Sequence, residues 1–177
     1  YTVLIKSLTA HSAEVYNDNP RDFLNFVNEG ITERINSGFV TGLAGHFGAR
    51  QKNGDRKLIL SHAGHRQMLV YRKKENAVEL IELPNGTVMG LPGTTASRAK
   101  AIDLQLGDRF YAFTDGIVEA SNPKGEEFGT KRVIDALKSL SSKPVQKTVE
   151  ALYAKVAKFT QVPDQQDDIT ILGFELS

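Results

Sequence analysis

Three short clusters in this sequence have residue types and spacings that could do chemistry. The first is Thr114-Asp115-Gly116, directly after the apolar run Phe110-Tyr111-Ala112-Phe113. A carboxylate at the end of a rigid strand is held in place, and a following glycine turns the backbone away without crowding it. Asp115 would then present a hard oxygen ligand to Mg2+ or Mn2+. The same residues also suit a plain Asp-Gly turn that closes a strand. The second cluster is Asp167-Asp168-Ile169-Thr170, just before the last apolar segment. Adjacent carboxylates repel, so a partly buried pair attracts a cation. The polar stretch Asp164-Gln165-Gln166 favours instead a loop in which both face water. The third is Ser61-His62-Ala63-Gly64-His65, which holds two of the four histidines in H-x-x-H spacing. On a strand that spacing puts them on opposite faces unless a turn intervenes. A histidine-centred metallohydrolase lacks support here, with no cysteine and no adjacent glutamate. A satisfied polar residue at a hairpin turn is the better reading.

Each cluster alone is weak. Two Asp sites at strand ends gain meaning if an antiparallel sheet sets them side by side. They could then share a binuclear centre with ions about 3.5–4 Å apart, which would activate a bridging water and bind phosphate oxygens.

The elements that must position these clusters follow from periodicity. Residues 3–16 read as a helix. Asn19-Pro20 is a start signal, with Asn as N-cap and Pro at the first helical position. Phe23, Leu24, Val27, Ile31 and Ile35 recur at helical spacing, and Gly38 is the expected stop. Strands are expected at 39–47, 57–62, 67–73, 78–83 and 108–114. The short connections among the first four imply antiparallel neighbours, since a parallel return needs a crossover of about a dozen residues or more. The nearly all-apolar 108–114 strand implies burial on both faces. Val133, Ile134, Leu137 and Leu140 mark one helix. Pro144 opens another, with Val145, Val149, Leu152, Val156 and Phe159 on its inner stripe. A final strand at 169–176 is apolar on both faces. Helices are segregated from a run of strands, so the class is α+β.

Composition sets the bounds. The 177 residues are 40% apolar and 24% charged, with 22 Lys plus Arg against 21 Asp plus Glu and a formal charge of +1. One domain over 1–177 with one sizeable core is expected. No basic stripe supports nucleic-acid binding. The absence of cysteine excludes disulfides, thiolate metal sites and cysteine nucleophiles, and fits a reducing, cytoplasmic setting. No stretch approaches the roughly 20 apolar residues that span a bilayer. The sequence starts at Tyr1 rather than Met, so it is expected to be a piece of a longer protein.

One ordered set of motifs runs through the chain. It comprises Ala63-Gly64-His65, Met89-Gly90-Leu91, Leu106-Gly107-Asp108 and Phe113-Thr114-Asp115-Gly116-Ile117-Val118-Glu119-Ala120. Asn122, Gly125, Glu126 and Phe128-Gly129 continue it, and Asp167-Asp168-Ile169-Thr170 closes it. In order and spacing this set resembles the SpoIIE-type branch of the PPM superfamily of metal-dependent protein phosphatases.

The resemblance implies an α-β-β-α sandwich of two mainly antiparallel sheets flanked by helix pairs. It implies hydrolysis of phosphoserine or phosphothreonine on a regulatory protein, with Mn2+ or Mg2+ in a binuclear site. Asp115 and Asp167 map onto family metal ligands, with Gly116 and Asp168 as supporting residues; no other catalytic residue is assigned. The expected substrate is a phosphorylated anti-sigma-factor antagonist of the STAS type, and the expected regulator is an upstream sensor or receiver domain. The family's Asp-rich and D-x-x-G-H-G motifs do not occur here, so the first strands are expected to be missing. The sheet edge this would open invites pairing with another chain, which allows a homodimer. The alternative is a catalytically inactive pseudophosphatase that binds a partner through the same surface.

Overall fold

The computed structural model describes residues 16, 18–34, 38–161 and 168–177. The helix expected at 3–16 lies outside these residues, apart from Tyr16. The chain forms two compact units, one from residues 1–66 with 82–104, the other from 67–81 with 105–177.

The first unit is a helix on a three-stranded sheet. Helix α1 spans Pro20–Thr32. Asn19 caps it by accepting from the Asp22 amide at 3.3 Å, Pro20 sits in the first turn, and Asp22 adds negative charge where the helix dipole favours it. The helix ends before the expected Gly38. Strands β1 (Gly42–Phe47), β2 (Arg56–Ala63) and β5 (Lys100–Leu104) pair antiparallel in the order β1-β2-β5. Leu24, Val27 and Ile31 of α1 pack with Ala63, Met89 and Ala96. Asn28, on the same buried stripe, accepts from the Gly90 amide at 2.7 Å and donates to the Thr94 carbonyl at 3.0 Å. That ties Met89-Gly90-Leu91 to the helix. Gly90 has φ +94, a conformation glycine adopts without strain.

His62 is 2% exposed inside β2. Its Nε2–H donates to the Pro84 carbonyl at 3.0 Å, and Nδ1 has no hydrogen-bond partner among the described residues. It is a core histidine within a strand, not a turn residue as expected; the turn follows at Gly64, φ +76. Burial lowers its pKa, the Pro84 hydrogen bond opposes that shift, and the Arg66 charge adds to it. Below the ordinary histidine value of about 6.5 the unfolded chain therefore binds more protons than the fold. Stability is full above that pH and falls as pH drops through the folded pKa. His62→Gln can still donate to Pro84, so urea midpoints measured from about pH 7 to 5 should fall less steeply than in wild type. Coincident slopes would sink this account.

The second unit holds strands β3 (Met68–Arg72), β4 (Ala77–Leu80), β6 (Arg109–Phe113) and β7 (Ile171–Glu175). All pairs are antiparallel, in the order β4-β3-β6-β7. β6 is buried at every position, as its apolar run predicts. Helices α2 (Gly129–Ser139) and α3 (Val145–Thr160) cover this sheet. Val133, Leu137, Leu152 and Val156 pack on Leu69, Tyr71, Tyr111 and Phe113. β7 is an edge strand, and Leu172 is 55% exposed rather than buried. β5 was not expected from the sequence; it is made by its pairing with β2.

Candidate metal centre

The register of β6 on β7 decides what happens to the two acidic clusters. Phe113, the last residue of β6, pairs with Ile171, the first of β7. Thr114-Asp115-Gly116 leaves the sheet where Asp168-Ile169-Thr170 enters it, so the antiparallel ladder sets both motifs at one end of the sheet. The Thr114 amide adds a further rung, donating to the Thr170 carbonyl at 3.1 Å.

Past Thr114 the chain turns into a single 3-10 turn, Asp115–Ile117. The Ile117 amide donates to the Thr114 carbonyl at 3.2 Å and the Glu119 amide to the Asp115 carbonyl at 2.9 Å. Ile117 is fully buried, which anchors the turn from below, while Asp115 is exposed. Gly116 is required by close approach: a Cβ there would lie 2.8 Å from the Asp168 carbonyl oxygen. Asp168 is exposed and Asp167 lies outside the described residues.

The loop after this turn is structural. The Asn122 side chain accepts from the amides of Lys124 (2.9 Å) and Glu126 (3.1 Å). Phe128 is in the core, and the amides of Phe128 and Gly129 return to the carbonyls of Ala120 and Val118. The Asn-x-x-Gly and Phe-Gly elements thus close the loop and start α2.

Asp108 has a role that sequence reading did not assign. It is 1% exposed. Its carboxylate accepts from Arg72 Nη1 at 3.0 Å and from the amides of Lys73 (3.0 Å) and Gln105 (3.1 Å). This locks the start of β6 to the end of β3. Leu106-Gly107-Asp108 is therefore a staple for the strand that carries Asp115. An acid directly before a strand that is apolar from Phe110 to Phe113 was the available signal.

Carboxylate oxygens suit a hard divalent cation, and a strand end is a rigid place to hold one. Among the described residues no group of three His, Asp or Glu side chains converges on a metal position. The described part of the centre is thus Asp115, with the backbone of Asp168 against Gly116. His62 and His65 form no such group, and His62 is committed to Pro84.

Comparisons with known proteins bear on the family and the fold. The sequence model of the Stage II sporulation protein E (SpoIIE) family matches residues 2–177. No curated protein matches the chain in sequence. Among solved structures, the SiaA-PP2C domain of Pseudomonas aeruginosa superposes with a TM-score of 0.69 at 21% identity, over 99% of this chain and 68% of that one. The phosphatase domain of the Bacillus subtilis cell fate determinant SpoIIE, presoaked with Mn, gives 0.63 at 14%, over 96% and 73%. The PPM Ser-Thr phosphatase MsPP of Mycobacterium smegmatis, in complex with cacodylate, gives 0.65 at 13%, over 100% and 82%. These likenesses show the PP2C/PPM fold, an α+β architecture of two antiparallel sheets with helices.

Proposed function

The chain belongs to the SpoIIE family, and from that premise we propose that it hydrolyses phosphoserine or phosphothreonine on a regulatory protein with the help of Mn2+ or Mg2+. One observation carries the reading most: the β6–β7 register sets Thr114-Asp115-Gly116 beside the segment that begins at Asp168. Asp115 and Asp167 are the residues proposed to hold metal, with Gly116 and Asp168 in support. Bound divalent ions supply an activated water and neutralise phosphate charge. The chain's own part is to hold its carboxylates at fixed separation on a rigid strand end and to expose them to a protein-bound phosphate. The substrate class we favour is a cytoplasmic anti-sigma-factor antagonist of the STAS type, with an upstream sensor or receiver domain as regulator and a homodimer as a natural assembly. No helix among the described residues is long and apolar enough to cross a membrane.

Chelation tests the reading. Full-length protein stripped with EDTA should release no phosphate from a phosphoserine protein or from p-nitrophenyl phosphate, and Mn2+ should restore release. A folded, Mn2+-supplied protein that hydrolyses neither substrate would shift the assignment to a partner-binding pseudophosphatase. Hydrolysis indifferent to EDTA would remove the metal from the proposal.

A further inference from the structure

Thr114 sits where the two acidic motifs meet, and among the described residues its side chain bonds to the opposite one. Its hydroxyl donates to the Asp168 carbonyl at 2.9 Å and accepts from the Thr170 amide at 3.0 Å. Its own amide donates to the Thr170 carbonyl. One residue thus makes three hydrogen bonds to a segment 54 to 56 residues away. Two residues on, Gly116 presses against the same Asp168 carbonyl, which a Cβ would approach to 2.8 Å. The Asp168 peptide is therefore held by a hydrogen bond from Thr114 and seated in the space that Gly116, lacking a Cβ, leaves open.

We propose that Thr114 is a positioning residue: its hydroxyl fixes the Asp168–Thr170 backbone against the end of β6 and so sets the separation between Asp115 and the second acidic motif. The proposal rests on the metal-site reading above. The chemistry favours threonine for this. A hydroxyl is a donor and acceptor at once, so it can satisfy a carbonyl and an amide on one strand together. β-branching restricts its χ1, so the hydroxyl is largely pre-set toward those partners. With both capacities engaged, the Thr114 hydroxyl serves as a structural clasp rather than as a nucleophile. The Asp168 carbonyl is likewise engaged by this bond.

Thr114→Val keeps the shape and removes both side-chain bonds; Thr114→Ser keeps the bonds and loses only the methyl. The test is Mn2+ titration calorimetry on full-length wild type and both variants, with amide exchange at Thr170 followed in the metal-free proteins. Mn2+ affinity should fall roughly 10-fold or more in Thr114→Val and stay within about twofold in Thr114→Ser, the scale expected for groups that orient metal ligands. The Thr170 amide should exchange faster in the Val variant only. Wild-type Mn2+ affinity in Thr114→Val would overturn the proposal, as would a Ser variant as impaired as Val. If wild type binds no Mn2+, the metal reading itself fails. Exchange at Thr170 then decides the clasp alone: faster exchange in the Val variant upholds it as what holds Asp168 beside Asp115, and unchanged exchange refutes it.

Discussion

Asp115→Asn is expected to lower Mn2+-dependent phosphate release by roughly 10³-fold or more while leaving the fold intact. Metal-assisted charge stabilisation is worth several kcal/mol, and each 1.36 kcal/mol is about tenfold in rate. Asn keeps the size and shape of Asp but removes the charge that balances a divalent cation. Asp115 is exposed, and the side chain of the preceding N-cap residue, Thr114, makes no capping bond to the 3-10 turn. The turn is held by the backbone bonds of Ile117 and Glu119 and by the buried Ile117 side chain. Stability should therefore change by no more than about 0.5 kcal/mol, as at other exposed positions. Steady-state kinetics beside a thermal melt separates the two effects. A variant that hydrolyses at the wild-type rate would remove Asp115 from the metal centre.

The largest loss of stability is expected at Asp108. Asp108→Ala leaves the Arg72 guanidinium without its buried carboxylate and strands the amides of Lys73 and Gln105. Removing one partner of a buried pair typically costs about 3–5 kcal/mol. Arg72 keeps a second carboxylate, Glu79 at 2.9 Å, which is half exposed. That places the expected cost near the lower end, about 3 kcal/mol, still a large part of a domain's usual stability. Arg72→Ala should cost less, because Asp108 would retain both backbone donors. Urea unfolding measures both, and a cost below about 1 kcal/mol for Asp108→Ala would contradict the staple.

Much of the architecture was readable in the sequence because local signals agreed with tertiary demand. Asn19-Pro20 and the stripe Leu24, Val27, Ile31 give α1; the run from Phe110 to Phe113 gives a strand buried throughout. β5 was missed although Ile102 and Leu104 alternate with exposed Ala101 and Asp103. Five residues carry little signal, and hydrogen bonds to β2 supply what propensity does not. In the candidate centre, the residue types of Asp115 and Gly116 were legible. The work of Thr114, Asp108 and Asn28 was not. Each has partners far along the chain (for Asp108, Arg72 and Lys73), and periodicity reports neighbours rather than long-range pairs.

The separation of Thr114 from Thr170, 56 residues, also bears on when the centre can exist. Closing a loop of that size is entropically costly, and long-range pairing is the slow part of folding. A chain whose β7 has not docked keeps its two acidic motifs apart, so an incompletely folded molecule should be chemically silent. The same logarithmic law makes extra length cheap, since doubling the loop adds only about 0.6 kcal/mol. The connection between α2 and α3 should therefore be a permissive place for insertions, provided the β6–β7 ladder stays in register.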